Sequence, residues 1–233
     1  MFSPTDLEEK LDYIHGRIYK TAIMAGRNPQ DITLIAITKT LSPEIWQQAF
    51  NINQTIFGEN RVQEAQEKVE TFSKRDKIEL HLIGHLQSNK AKKAISLFDI
   101  IQTVDSIKLA GRIDRICKTL AKKQHIYIQV NTSGDQRKHG ISLENVITAA
   151  KEISKNNNLI LGGIMTIPPP GITQAELTSI YKKTRIIRDK IRSRINQECQ
   201  NISMGMSSDY EIAIAEGATH IRIGTGLFGA RQQ

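Results

Sequence analysis

The sequence predicts a single α/β domain spanning residues 1–233, folded as a (β/α)8 barrel with one extra helix before the first strand. Short apolar runs rich in Ile, Leu and Val alternate with segments of helical spacing along the chain. These runs are nearly continuously apolar, which is typical of parallel strands covered by helices on both faces. No linker or low-complexity tract interrupts the 233 residues, and such barrels commonly contain about 250 residues in one domain.

Eight apolar runs are predicted as the strands of the barrel. An open, doubly wound sheet with fewer strands is the alternative architecture for such an alternation. Eight consecutive strand and helix units favour the closed barrel. In chain order the runs are ITLIAITK, TIFGEN, ELHLIGHL, DIIQTVD, HIYIQVN, LILGGIMTI, NISMGMS and HIRIGTG.

A helix is predicted before the first strand, and further helices separate the strands. The first helix has Ser3 as its N-cap and Pro4 at its first position, and we expect it to close or flank the barrel bottom. Its apolar stripe consists of Leu7, Leu11, Ile14 and Ile18. The other helical segments are SPEIWQQAFN, RVQEAQEKVETFSK, QSNKAKKAISLF, SIKLAGRIDRICKTLAKK, SLENVITAAKEISK, ELTSIYKKTRIIRDKIRSRI and SSDYEIAIAEG.

Three local signals mark the ends of these helices. Ser42 is suited to cap a helix that has Pro43 at its first position. Ser208 and Glu211 have the spacing of a capping box before an apolar run. Gly217 is suited to end the last predicted helix, because glycine readily adopts the left-handed conformation found there.

Composition excludes several classes of protein. Hydrophobic residues make up 39% and charged residues 24%, as in globular domains. The N-terminus is acidic and amphipathic, and no run approaches the roughly 20 apolar residues that cross a bilayer. We therefore expect a cytoplasmic protein with no membrane partner. No strongly apolar surface helix is evident, which favours a monomer.

Nucleic-acid, disulfide and metal binding are not expected. The net charge is +8, but Lys and Arg are spread along helices without interleaved aromatic residues for base stacking. Cys117 and Cys199 are far apart and lie in helical patterns, so we expect them to be packing residues. His81 and His85 are spaced by four residues, yet no cysteine or carboxylate partner stands out, and no metal site is predicted.

Polar residues follow the predicted strands, at the end where the active sites of such barrels lie. Lys39 is the most informative, because it follows the apolar run ITLIAIT, where a cation is costly unless it is paired or functional. Desolvation at a barrel mouth lets a lysine lose its proton and attack an aldehyde, which forms a Schiff base. A solvated lysine at a strand end is the alternative interpretation.

Two segments near the C-terminus are suited to bind an anion. GMSSDYEIAIAEG places Gly205, Ser207 and Ser208 before a helix, and HIRIGTGLFG places Gly224, Thr225 and Gly226 after the last strand. Backbone N–H groups, hydroxyls and a helix N-terminus together bind phosphate, and barrels commonly hold it after strands seven and eight. Tight turns without a ligand are the alternative interpretation.

Several long motifs together resemble a known family over nearly the whole chain. They are ITKT around Lys39, FGENRVQEAQEK, HLIGHLQSNKAK, VDS at Asp105, QVNTSGDQRKHGI, GGIMTIPP and MGMSSDYEIAIAEGATHIRIGTGLFGAR. In this order they resemble the YggS/PROSC family of pyridoxal 5′-phosphate (PLP) binding proteins, also called PLP homeostasis proteins. The chain departs from that family at Thr38, Arg61 and Leu80, where serine, an aromatic residue and tryptophan are common.

The resemblance implies a fold-type III PLP barrel like the N-terminal domain of alanine racemase. It implies PLP held as an internal aldimine on Lys39, with Arg222 near the pyridine nitrogen. An arginine there keeps its proton, so it weakens the cofactor as an electron sink. The resemblance also implies phosphate contacts from Ser207, Gly224 and Thr225, and pocket-lining positions at Asn60, His85 and Met165.

The function implied by the resemblance is intracellular PLP homeostasis with little or no catalysis, in which the chain buffers or supplies cofactor, including to PLP-dependent apo-enzymes. A PLP-dependent amino-acid racemase is the alternative. Racemases need an acid or base on each face of the substrate, and the chain ends at Gln233, without the β domain that supplies the second group in alanine racemases. A lysine-dependent aldolase is disfavoured, because those enzymes usually carry the lysine on a middle strand.

Overall fold

The computed structural model describes residues 4–134 and 138–229 and shows a closed, all-parallel barrel. Eight strands pair in the order β1, β2, β3, β4, β5, β7, β8 and β9, and β9 pairs with β1 to close the ring. A two-residue strand, β6, pairs with β5 beside the ring and was not predicted. The strands are Thr33–Ile37 (β1), Ile56–Glu59 (β2), Glu79–Leu82 (β3), Ile100–Val104 (β4), Gln124–Asn131 (β5), Ile141–Ser142 (β6), Leu159–Thr166 (β7), Asn201–Met206 (β8) and His220–Ile223 (β9).

Helices cover the outside of the barrel, as the apolar strands require. All predicted helices are present, and a short helix after β9 was not predicted. The apolar faces of helices and strands form one large core. The helices are Pro4–Met24 (α1), Glu44–Asn51 (α2), Val62–Thr71 (α3), Ala91–Leu97 (α4), Ile107–Thr119 (α5), Val146–Ile153 (α6), Gln174–Arg194 (α7), Tyr210–Ala215 (α8) and Thr225–Phe228 (α9).

The extra helix α1 lies against α8 and α9. Its predicted stripe is buried, which confirms the helical periodicity. Outside the stripe, the Arg17 guanidinium donates to both Glu211 carboxylate oxygens, at 2.8 and 2.6 Å. The stripe and this ion pair attach α1 to the outer layer at α8. Ser3, the predicted cap of α1, lies outside the described residues.

Two of the predicted helix starts were wrong. Helix α2 begins at Glu44 with Pro43 as its N-cap, one residue later than predicted. Ser42 stands just before the helix, and its carbonyl accepts the Ile45 N–H at 3.2 Å. Helix α8 begins at Tyr210 with Asp209 as its N-cap. The predicted capping box does not form, because Glu211 is paired with Arg17 on α1. The tertiary ion pair between Arg17 and Glu211 therefore takes the place of the predicted local contact between Ser208 and Glu211.

The predicted end of α8 was confirmed. Gly217 follows α8 with φ +104°, and its N–H donates to the Ile214 carbonyl at 3.0 Å. Cys117 lies in α5, but Cys199 lies in the loop between α7 and β8 and not in a helix as predicted. Both are buried free thiols, as expected of packing residues, and burial raises the pKa of Cys199 to about 12. Among the described helices, none is long and apolar enough to cross a membrane.

Candidate functional site

A cavity of about 780 Å³ opens at the carboxyl ends of the strands, a size common for small-molecule and cofactor sites. Its apolar walls come from the last residues of β1 and β8 and from residues directly after β3 and β7. Seven of the eight residues predicted for the site line it. They are Lys39, Asn60, His85, Ser207, Arg222, Gly224 and Thr225.

Lys39 lies in a turn directly after β1, which ends at Ile37 and not at Lys39 as predicted. The next residue, Thr40, has φ +65°, a left-handed conformation that is uncommon for a β-branched residue. Its backbone N–H donates to Glu64 Oε2 on α3 at 3.0 Å. The strand and α3 therefore hold the turn on both sides of the lysine, and half-buried Lys39 is placed at the cavity wall.

A buried polar network supports this turn from below. The Thr38 hydroxyl donates to Glu59 Oε1 at 2.6 Å and accepts the Trp46 indole N–H at 2.8 Å. Lys68, from α3, donates to the same Glu59 oxygen and to the Thr38 carbonyl, both at 2.6 Å. Burial raises the pKa of Glu59, and Lys68 and Thr38 oppose that rise. The residue before Lys39 is thus tied to β2, α2 and α3.

Arg222 points into the barrel from β9 and forms part of the cavity floor. Its guanidinium donates to Ser203 Oγ at 2.6 Å and to the Thr166 carbonyl at 2.8 Å, and its side chain is buried. Burial lowers the pKa of Arg222 to about 10. The group therefore stays protonated at neutral pH and offers only donors to a ligand.

The anion-binding segments meet at Ser207. Its hydroxyl oxygen accepts the backbone N–H groups of Gly224, at 3.3 Å, and Gly226, at 3.0 Å. Upstream, Gly205 has φ +91°, and a Cβ there would lie 2.6 Å from Ala213 Cβ. Glycine thus allows β8 to turn sharply into α8. Two backbone N–H groups and the Ser207 hydroxyl converge there, which is the chemistry of a phosphate site.

Asn60 and His85 enter the cavity from neighbouring loops that touch at Gly84. A Cβ on Gly84 would lie 2.1 Å from the Asn60 carbonyl oxygen, so only glycine allows this approach. The Thr103 hydroxyl donates to the Gly84 carbonyl at 2.7 Å. These contacts position the backbone of both predicted residues.

Met165 and His81 do not reach the cavity. Met165 is fully buried and packs with Ile100 and Tyr127 inside the barrel, because its position on β7 faces the interior below the mouth. His81 is also buried there, with its ring nitrogens 2.7 Å from Glu79 Oε1 and from Gln102 Nε2. His81 and His85 therefore do not form a pair.

Several cavity residues were not predicted. Gln129 reaches the mouth from β5, and His139 comes from the loop before β6. The strand alternation of β5 indicates that Gln129 points inward, but nothing local to His139 predicts that its loop folds back over the cavity. The apolar part of the wall comprises Ile37, Ile83, Ile167 and Met206.

Residues 28–232 match a family model described as the N-terminal domain of alanine racemase. A pyridoxal phosphate homeostasis protein of Vibrio alginolyticus is 35% identical over 97% of this chain and 98% of its own. Proteins of the same name from Haemophilus influenzae and Escherichia coli K12 are 36% and 33% identical, each over 97% of this chain and over 96% and 97% of their own.

Solved structures share the whole fold. PipY of Synechococcus elongatus, solved with PLP bound, is 35% identical, covers 96% of this chain and all of its own, and superposes with a TM-score of 0.86. A protein from Bifidobacterium adolescentis is 32% identical over 97% of this chain and 95% of its own, with a TM-score of 0.92. Alanine racemase of Clostridium difficile, 16% identical over 98% of this chain and 60% of its own, has a TM-score of 0.74 and supports the fold alone.

Proposed function

Because the chain belongs to the alanine racemase N-terminal domain family, among the relatives named pyridoxal phosphate homeostasis proteins, we propose that it binds PLP covalently through Lys39 and acts in intracellular PLP homeostasis. One observation carries the proposal. A single cavity brings together a lysine, a buried arginine and a phosphate-type cluster of N–H groups and hydroxyls. The relative solved with PLP bound has the same fold over nearly the whole chain.

The residues of the cavity fit each part of PLP. Ser207, Thr225 and the N–H groups of Gly224 and Gly226 would hold the phosphate. Lys39 would hold the aldehyde carbon, and the apolar wall would cover the faces of the ring. When bound, PLP supplies an electrophilic aldehyde and a ring that accepts electrons.

Arg222 explains why the site is suited to holding PLP more than to catalysis. We propose that its guanidinium faces the pyridine nitrogen. Because Arg222 keeps its proton at neutral pH, it donates to that nitrogen and disfavours ring protonation, which weakens electron withdrawal. A chain of this kind stores or delivers PLP with little or no reaction of its own. The names of its relatives, which describe homeostasis and no reaction, support this assignment.

Borohydride reduction followed by peptide mass spectrometry tests the cofactor site. We expect a visible absorption band that is lost on reduction, with the phosphopyridoxyl group on Lys39. Lys39→Ala should abolish the band, and Lys92→Ala, at an exposed lysine on α4, should leave it unchanged. A colourless protein that neither takes up added PLP nor is labelled at Lys39 would refute the proposal.

Delivery of PLP is tested by mixing the loaded protein with a PLP-dependent apo-enzyme, with a phosphatase present to destroy free PLP. We propose that the chain is a cytoplasmic monomer that passes PLP to such enzymes, with no nucleic-acid or membrane partner. Activation of the apo-enzyme despite the phosphatase would support direct transfer.

Light scattering measures the oligomeric state. Racemisation of alanine at a rate typical of enzymes would favour the racemase alternative.

A further inference from the structure

Three side chains that could ligate a metal converge at the rim of the cavity. His85 follows β3, Asp105 follows β4, and His139 precedes β6, so three neighbouring loops contribute one residue each. The His85 and His139 Nδ1 atoms lie 3.2 and 3.6 Å from the same Asp105 oxygen, Oδ2. The two imidazole rings are stacked, with centroids 3.7 Å apart and planes inclined by 12°.

Backbone contacts hold the segments that carry the two histidines. Gly84 packs against the loop of Asn60 and fixes the start of the His85 segment. On the other side, the Asn131 side-chain amide donates to the Lys138 carbonyl at 3.1 Å. Gly140 has φ +119°, and a Cβ there would lie 2.6 Å from the Asn131 backbone nitrogen. The segment carrying His139 is therefore held against the end of β5.

We propose that His85, Asp105 and His139 form a binding site for Zn²⁺ or a similar first-row divalent metal ion. Two imidazoles and one carboxylate are the ligands of open, three-residue zinc sites. Donor atoms around a tetrahedral Zn²⁺ lie about 3.4 Å apart for bonds of roughly 2.0–2.2 Å. Both distances to Asp105 Oδ2 are close to that spacing.

A small ring movement completes the geometry. Stacked imidazoles point their Nδ1 lone pairs along nearly parallel lines, so the rings must splay to share one ion. Their side chains are 39% and 55% exposed, which leaves room for that rotation, whereas Asp105 is 14% exposed and anchors the cluster. Both histidines line the cavity that contains Lys39. The fourth metal position would therefore take water or an anionic group within that cavity.

Calorimetric titration of the PLP-loaded, chelator-treated full chain with Zn²⁺ tests the site. We expect one ion per chain, with affinity at least about 100-fold lower in His139→Gln and Asp105→Asn. His125→Gln makes the same change at an exposed histidine where β5 begins, at the opposite end of the barrel, and should leave the affinity unchanged. Circular dichroism melting establishes that each variant is folded. If His139→Gln does not fold, Asp105→Asn alone tests the site.

Two further results separate this site from the proposed cofactor site. Lys39→Ala should bind Zn²⁺ as the PLP-free parent chain does, because the cluster does not include the lysine. X-ray absorption of the zinc complex should show imidazole and oxygen ligands without sulfur. Absence of Zn²⁺ binding, equal affinity in the His139→Gln and parent chains, or sulfur ligation would overturn the proposal.

Discussion

Replacement of Lys68 by methionine removes the buried cation beneath the Lys39 turn. Methionine keeps most of the volume of the lysine stem and leaves Glu59 without its counter-ion. Lys68 is 2% exposed, and Glu59 is fully buried with its Oε1 atom 2.6 Å from Lys68 Nζ. Among the described residues, the other Glu59 oxygen has no hydrogen-bond partner. Lys68→Met therefore leaves a carboxylate that water cannot reach.

The expected cost is large because breaking one side of a buried ion pair typically destabilises a protein by about 3–5 kcal/mol. Lys68 also donates to the Thr38 carbonyl. Its replacement therefore leaves this buried carbonyl oxygen without the lysine as donor. Replacing both partners, with Glu59→Gln and Lys68→Met together, removes the uncompensated charge. The double variant should recover much of the lost free energy of unfolding.

The pH dependence of this cost has a definite sign. Burial already raises the pKa of Glu59 against the opposing effect of Lys68, so removing Lys68 raises that pKa further. A carboxyl whose pKa is higher in the folded chain than in the unfolded chain stabilises the fold at low pH and loses that effect as pH rises. The cost of Lys68→Met should therefore shrink between pH 8 and pH 5, by up to about 1.4 kcal/mol per pH unit.

Urea unfolding of the single and double variants at pH 5 and pH 8 measures these free energies. Lys92→Met, the same substitution at an exposed lysine on α4, is the control and should change the free energy of unfolding by less than about 0.5 kcal/mol. If Lys68→Met is equally destabilising at both pH values, or the double variant is no more stable than the single one, the assignment of an uncompensated buried charge is wrong.

Three further predictions concern other parts of the barrel. Gly84→Ala forces a Cβ to 2.1 Å from the Asn60 carbonyl oxygen and should lower the free energy of unfolding by about 1–3 kcal/mol. Gly16→Ala is the control: no atom lies within 4 Å of the added Cβ, so the free energy of unfolding should not fall. Arg222→Leu removes donors from the cavity floor and should weaken PLP binding, measured by absorption titration, by at least about tenfold. Burial lowers the pKa of His220 to about 3, so the unfolded chain gains a proton that the folded chain does not, and stability falls as pH decreases from about 6.5 toward 3. His220→Gln should flatten that fall in urea unfolding, and His125→Gln should not.

The barrel could be predicted because its strands are buried on both faces. Continuous apolar runs such as the one in β1 encode that burial directly, and the helices between them follow from a simple period. Short elements lacked such a signal. Strand β6 has two residues and helix α9 has four, too few for any periodicity. The start of α8 was misplaced because Glu211 pairs with Arg17, which is distant in sequence.

Site residues could be predicted where a side chain able to react or to bind a ligand stands at the end of a predicted strand. Lys39, Arg222 and Ser207 stand at or just beyond the carboxyl ends of strands, where the fold gathers residues from the whole chain. Met165 lies in the layer beneath the cavity, because a strand residue near the mouth faces either the cavity or that layer, and the sequence does not set the depth. His139 was missed because its place depends on Asn131 and Gly140, which fold its loop back onto β5.

The cavity mouth divides into two sides with different chemistry. On the β8 and β9 side, Ser207 and the glycine N–H groups offer donors, which suit a phosphate. On the β3, β4 and β5 side, His85, His139 and Asp105 offer a carboxylate and imidazole nitrogens, which suit a cation. Since no residue of the cation cluster is a donor in the phosphate cluster, a metal ion and the phosphate group would use different protein groups. A metal ion at the rim would therefore attract the anionic cofactor into the cavity without displacing its phosphate contacts.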